Sequence, residues 1–319
     1  MKKALKFIGK SLLVLICLIL LFMLGLFIYH RIMLGKEKEL ISQPLGKMVE
    51  VDGGQMCVYS EGSGDHTIVF MSGYGTPSPI LDFKPLYDKL SGDFRIAVVE
   101  KLGYGFSDET TLPRDVDTML GNTREALSKA GIEGPYILCP HSASGIEAVY
   151  WAQKYPDEVE GITAIDVAIP GYHEESGDSI FADKLAAFWV NSGLTRITPK
   201  DSWDYAFNSP YLTESEKEQY LAILYAKRGS KTMLHEAEWC KRNMDTLLKN
   251  DPPSVPMLFF VSQKMAAEVF PSDPEKYLLL PQKYTNGRAE TEVLDCGHYI
   301  HVEEPELIAA EIRKFADKL

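Results

Sequence analysis

The stretch Tyr136-Ile137-Leu138-Cys139-Pro140-His141-Ser142-Ala143-Ser144-Gly145 runs directly into Ile146-Glu147-Ala148-Val149-Tyr150-Trp151-Ala152. An apolar segment of strand type ends abruptly, a serine sits between small residues, and a helical pattern starts at once. A strand that turns straight into a helix lifts the residue at the turn out of the carboxyl end of a sheet, where a serine Oγ can act as a nucleophile. The usual form of that turn is G-x-S-x-G; here it reads Pro140-His141-Ser142-Ala143-Ser144. Strand and helix backbones crowd there, and Ser144 and Gly145 supply the small side chains on one side. Pro140 has no N–H and fits only where the strand ladder has ended. Taken alone, the window suits a helix N-cap serine as well as a nucleophile.

Working outward, strand-like and helix-like segments alternate. Met48–Val51 and Gln55–Tyr59 flank the turn Asp52-Gly53-Gly54 and predict an opening hairpin. Thr67–Met71 and Arg95–Val99 are apolar strands, with helical spacing over Ile80–Leu90 between them. Asp115–Ala130 is a second helix, stopped by Gly131. Beyond the Ser142 turn the pattern predicts a helix over Gly145–Lys154, strands at Gly161–Asp166, Pro256–Val261 and Glu290–Leu294, and a closing helix over Pro305–Leu319. Apolar strands interleaved with helices predict an α/β fold with an eight-stranded, mostly parallel sheet covered on both faces.

Residues 171–250 interrupt the alternation with four helical segments and no strand run. They hold Trp189, Trp203 and Trp239 and also Tyr205, Tyr211, Tyr220 and Tyr225. That composition suits a helical lid over a site, a subdomain with its own small core, or both.

The amino end differs from the rest. Ser11 to Tyr29 reads SLLVLICLILLFMLGLFIY, with no charge. At about 1.5 Å per residue a helix of this length roughly spans a ~30 Å hydrocarbon layer. No small-x-small cleavage site follows it, only His30-Arg31-Ile32-Met33-Leu34, and Val14-Leu15-Ile16 before Cys17 are unsuited to lipidation. Residues 1–38 are therefore expected to be an uncleaved single-pass anchor with its flanks, and 39–319 the folded domain. Lys2, Lys3, Lys6 and Lys10 outnumber Arg31, Lys36 and Lys38, which favours a cytoplasmic amino terminus and an extracellular domain.

Charge narrows the partners. Residues 1–39 carry seven basic and two acidic side chains, a net of +5, so with −12 for the whole chain the remainder holds −17. So acidic a domain is repelled by phosphate backbones, and nucleic acid is not an expected partner. The five cysteines form no C-x-x-C pair or other zinc spacing, and neither metal nor cofactor is expected.

Two further elements bear on chemistry. Ser72-Gly73-Tyr74-Gly75 directly follows a strand, and a glycine-bracketed loop there can aim a backbone N–H at a reacting carbonyl oxygen. The Tyr74 amide is one candidate and the Ala143 amide, just after Ser142, the other. Asp295-Cys296-Gly297-His298-Tyr299-Ile300-His301 lies between the last strand and the last helix. A histidine on that loop would sit over the carboxyl edge of the sheet as a general base; His298 is the better placed, and His301 is expected to pack or cap.

With Gly103-Tyr104-Gly105-Phe106-Ser107-Asp108, these elements occur in the order seen in α/β-hydrolase fold proteins, which the chain resembles over roughly residues 45–319. The resemblance implies Ser142 as nucleophile, His298 as base and 171–250 as a helical cap. The acid is less plain. The family usually carries an aspartate just after the seventh strand, but that turn reads Val261-Ser262-Gln263-Lys264-Met265-Ala266-Ala267-Glu268. Some members place the acid after the sixth strand instead, where this chain has Asp166. Asp166 and Glu268 are both candidates, as is a site without an acid.

The function expected from the resemblance is a membrane-anchored serine hydrolase acting on small acyl substrates, esterase- or lipase-like. A proline-releasing aminopeptidase and a non-catalytic binding domain on the same fold are the alternatives.

Overall fold

The alternation of strands and helices folds into one sheet. The computed structural model describes residues 2–172, 180–199 and 205–319. Trp203 lies outside these residues, as does the side chain of Tyr205.

Helix α1 (Lys2–Ile41) leads to the hairpin β1 (Lys47–Val51) and β2 (Gly54–Glu61). There follow β3 (Thr67–Met71), α2 (Pro79–Leu90), β4 (Arg95–Glu100), α3 (Val116–Ala130), β5 (Tyr136–Pro140), α4 (Ser144–Lys154) and β6 (Val159–Ile165). An insertion carries α5 (Ile180–Asn191), α6 (Tyr205–Asn208), α7 (Glu214–Lys227) and α8 (Lys231–Leu247). The chain closes with β7 (Met257–Ser262), α9 (Gln263–Val269), α10 (Glu275–Leu278), α11 (Leu280–Tyr284), β8 (Glu290–Leu294), α12 (Ile300–Glu303) and α13 (Pro305–Ala316). The strand order is β1-β2-β4-β3-β5-β6-β7-β8. β2 runs antiparallel to both β1 and β4, and every other pairing is parallel.

The central strands are buried along their whole length because both faces are covered. Alternate residues divide between two cores, as the period of two requires. Val69, Met71, Val99 and Leu138 pack with α3 and α4 on one face; Ile68, Phe70, Val98 and Ile137 pack with α2 and α13 on the other. β8 at the edge is largely exposed and carries charge at Glu290 and Glu292, which suits a strand with one unpaired side. The inserted helices have a small core of their own, in which Leu212, Tyr220, Leu221 and Leu224 meet Leu81 of α2.

α1 departs from expectation. It continues as helix through Ile41, past the boundary expected at 38–39, and only residues 42–46 connect it to β1. Lys36-Glu37-Lys38-Glu39 are good helix formers. The carboxyl part also docks on the insertion: Leu26 and His30 are buried, Arg196 makes a bidentate pair with Glu37 at 2.7 Å, and Gln219 donates to the Leu40 carbonyl. The apolar run itself stays exposed along most of its length.

At the end of β4, Glu100 is fully buried and accepts a 2.7 Å hydrogen bond from the Phe106 N–H. Gly105 has φ +50°, and a Cβ there would fall 2.0 Å from the Glu100 carboxyl, so glycine is required at this turn. Burial pushes the Glu100 carboxyl up to about 7. Between the ordinary glutamate value and pH 7 the folded state thus holds a proton that the unfolded chain has lost. This group's contribution to stability is therefore full at acid pH and is lost as pH rises through that window. Raising the pH from 5 to 8 should lower Tm more in the wild type than in Glu100→Gln, by on the order of 5 °C, in thermal scans at matched ionic strength.

Candidate active site

The chemistry converges at the carboxyl ends of β3, β5, β6 and β8. Ser142 follows β5 in the left-handed region with φ +57°, and Asp166 follows β6 with φ +45°. Such backbone is costly for residues with side chains, by about 1–3 kcal/mol each, and persists where the surroundings over-determine it. The His141 N–H donates to the Met71 carbonyl of β3, and the Ser142 N–H to the Ile165 carbonyl of β6. The turn is thus pinned between both neighbouring strands.

The departures from G-x-S-x-G have local explanations. Ser144 is buried, and its hydroxyl lies 2.6 Å from the Met71 carbonyl and 2.8 Å from that of His141, so the extra oxygen is paired. Backbone N–H groups alternate in direction along a strand, which puts the Pro140 nitrogen on the β6 side. There the registered pairs stop at Leu138–Ile162 and resume only as the isolated His141–Ile165 bridge, so Pro140 falls in a gap of the ladder. Gly145 remains obligatory, because a Cβ would come within 2.6 Å of Val167.

His298 lies on the loop after β8 with its Nδ1 2.6 Å from Asp166 Oδ2. Asp166 Oδ1 accepts from the Ser262 N–H and the Tyr277 hydroxyl, each at 2.9 Å. One carboxylate oxygen therefore serves the imidazole while the other is clamped. A carboxylate accepts the Nδ1 proton, and that tautomer leaves Nε2 without a proton. Ser262 also donates through its hydroxyl to the Cys296 carbonyl at 2.6 Å, tying the end of β7 to the histidine loop. Glu268, the other candidate acid, is exposed on α9.

The neighbouring histidines are distinct from this pair. The His141 ring stacks 4.6 Å from that of His298, and its Nε2–H donates to the His298 carbonyl at 3.1 Å. Burial holds His141 well below the usual histidine range, with His298 and His301 adding to the effect. A neutral ring is thus packed against His298. His301 is buried, paired through Nε2 with Asp82 at 3.0 Å and stacked on Phe83, so it packs as expected. The Cys296 thiol, two residues before His298, is pushed up to about 12 by burial, with Glu303 and Asp166 also raising it. It is a poor rival nucleophile at neutral pH.

Ser142, Asp166 and His298 border a cavity of about 250 Å³ together with Tyr74 and Ala143. Ala182 and Asp183 of α5 and Cys240 of α8 also line it, so the insertion forms part of its wall. Among the described residues the Tyr74 and Ala143 N–H groups enter no turn, cap or ladder hydrogen bond. A larger cleft of about 420 Å³ lies around Arg124, Pro135 and Trp151, by the start of β5 and away from these groups. The site is identified by its chemistry, not its size.

One element escaped sequence reading. Lys101, after β4, bonds Glu147 of α4 at 2.8 Å and Glu236 of α8 at 2.6 Å, while Arg114 holds the second Glu236 oxygen at 2.5 Å. All four side chains are buried. Burial alone would raise the Glu236 carboxyl, but the Lys101 and Arg114 charges outweigh it and the net direction is down. This network latches α8 onto the sheet beside the cavity. Its one visible signal was Glu147, a charge set among apolar residues in the first turns of α4.

Gly73 supplies a prediction. A Cβ at this position would lie 2.5 Å from the Ser142 Cβ and 3.1 Å from its Oγ. Gly73→Ala should therefore displace the serine by a fraction of an ångström and reduce kcat about 100-fold, with little change in Tm. Steady-state turnover beside a thermal scan measures both.

No protein-family model matches the chain. It is 42% identical over 238 residues to the Bacillus subtilis protein YbdG, itself uncharacterized, covering 73% of this chain and 72% of that protein. A 2-(acetamidomethylene)succinate hydrolase of Mesorhizobium japonicum is 28% identical over 138 residues, 43% of this chain and 48% of that one. Among solved structures, epoxide hydrolase VrEH1 from Vigna radiata superposes with a TM-score of 0.66 at 16% identity, covering 88% of this chain and all of that one. Sheet order and these likenesses agree on the α/β-hydrolase fold, and the chain belongs to one family with YbdG.

Proposed function

We propose that this protein is a membrane-anchored serine hydrolase that cleaves carboxylic esters through an acyl-enzyme. The observation that carries the reading is the Asp166–His298 pair at 2.6 Å, bordering the same cavity as a serine held at φ +57°. Ser142 Oγ attacks the carbonyl carbon while His298 Nε2 takes its proton and Asp166 holds the resulting imidazolium. The Tyr74 and Ala143 amides receive the oxyanion. His298 then gives its proton to the departing alkoxide, leaving an ester on Ser142. A water, deprotonated by His298, attacks that ester and releases the acid, and the proton returns to Ser142.

The epoxide hydrolases among the structural neighbours share the fold at low identity. Epoxide opening does not suit a serine: attack on the ring carbon would leave an ether, which has no carbonyl for the water step. A carboxylate nucleophile would leave an ester instead. The residue at this turn is Ser142, and carbonyl chemistry is the better match.

Asp183 favours one second reading. Its carboxylate lines the cavity close to Tyr74, where an α-ammonium group would find a counter-charge. A proline-releasing aminopeptidase would use it so. A panel of p-nitrophenyl esters of increasing chain length, run beside prolyl amides, separates the two. Turnover of esters without turnover of the amides supports the esterase; the reverse supports the peptidase, and turnover of neither favours a binding domain.

The apolar run Ser11–Tyr29 carries the anchor reading, with the amino terminus in the cytoplasm and the catalytic domain outside.

A further inference from the structure

α5 has two unlike faces. Ala187 and Val190 are buried, and Asp183 borders the cavity next to Ser142. On the other side Leu185 and Phe188 are more than half exposed, Trp189 nearly so, and Phe181 shares the face. These four fall at i, i+4, i+7 and i+8, a single stripe along the helix. Four large apolar side chains in one stripe on a cap of otherwise mixed surface mark a contact site.

The position of α5 says what it contacts. Its carboxyl end passes into Gly193, where a Cβ would lie 2.8 Å from the His30 Cβ and 3.1 Å from the Leu26 carbonyl of α1. Leu26 is inside the apolar run, which ends at Tyr29, so the contact lies roughly 4.5 Å along the helix axis from the end of that run. Arg196 fixes the arrangement through His30 Nδ1 at 2.9 Å and through Glu37. An amphipathic helix lying in a bilayer interface sinks its apolar face about 5–10 Å, and tryptophan concentrates at that level.

We propose that the Leu185–Phe188–Trp189 face of α5 rests in the interfacial layer of the membrane that α1 crosses, so that the cavity wall formed by Ala182 and Asp183 stands directly above the lipid. The proposal depends on the anchor reading of α1. Acyl esters dissolved in the bilayer are then the substrates nearest the site. Contact is by apolar burial, and the domain is acidic, so anionic lipid is not required.

The test uses the full chain in phosphatidylcholine vesicles with bromine on acyl carbons 6 and 7. α1 holds no tryptophan, so lipid quenching reports on the domain, and subtracting a Trp189→Phe variant isolates Trp189. The proposal expects brominated lipid to halve the Trp189 emission or better, with aqueous iodide having little effect. Trp189 emission that is unchanged by brominated lipid and quenched by iodide would overturn it. Flotation separates the two failures: protein that floats with Trp189 unquenched refutes the α5 contact alone, and protein that does not float refutes the anchor as well.

Discussion

Replacing Ser142 by alanine should lower ester turnover about 100,000-fold while leaving the fold intact. The magnitude follows from the division of labour in such sites. Losing the nucleophile removes the covalent route and leaves only substrate positioning and oxyanion stabilisation, which retain a small residual rate above that in water. Stability should not suffer, because φ +57° is strained for serine and no better for alanine. The Ser142 N–H bond to Ile165 is a backbone bond and survives the change. Steady-state kinetics on a p-nitrophenyl ester, beside a thermal scan, measures both. A drop of less than tenfold in a folded variant would remove Ser142 from the mechanism.

Asp166→Asn should cost about 10,000-fold in kcat, whereas Glu268→Gln should stay within about twofold. The clamp on Asp166 explains the size. The Ser262 N–H and the Tyr277 hydroxyl both require an acceptor at Oδ1, so an asparagine must keep its oxygen there. Its NH2 group then faces His298 Nδ1, which is forced to become the acceptor. The imidazole proton moves to Nε2, and the base that should take the Ser142 proton is blocked. Glu268, exposed on α9, meets no such constraint. The reverse pattern, a silent Asp166→Asn and an inactive Glu268→Gln, would reassign the acid.

The sheet was legible because its physical signal is local. Buried parallel strands read as runs such as Thr67–Met71, and helix starts and stops such as Asp115 and Gly131 have their own chemistry: Asp115 caps α3 through its side chain, and Gly131 closes it at φ +81°. That Ser142, His298, Tyr74 and Ala143 would meet at one cavity was legible because each follows a strand, where a loop has to cross the carboxyl edge. Which carboxylate meets His298 was not. Asp166 and Glu268 are both carboxylates after strands, and only the third dimension brings Ser262, Tyr277 and His298 onto one of them.

The Lys101–Glu147–Glu236–Arg114 network was hidden for the same reason, since its members lie up to 135 residues apart. The helical extension of α1 was also hidden, because its support comes from Arg196 and Gln219 in the distant insertion. Pro140 called for the end of the ladder because the sequence does not tell where the β5–β6 pairing is interrupted.

The central claim is that Ser142 is an activated nucleophile. It is tested most directly by treating the intact protein with a fluorophosphonate at neutral pH and weighing it. The reading expects one phosphonyl adduct per chain, on the peptide containing Ser142, and none in Ser142→Ala. A folded wild-type protein that acquires no adduct, or acquires it at another residue, would contradict it.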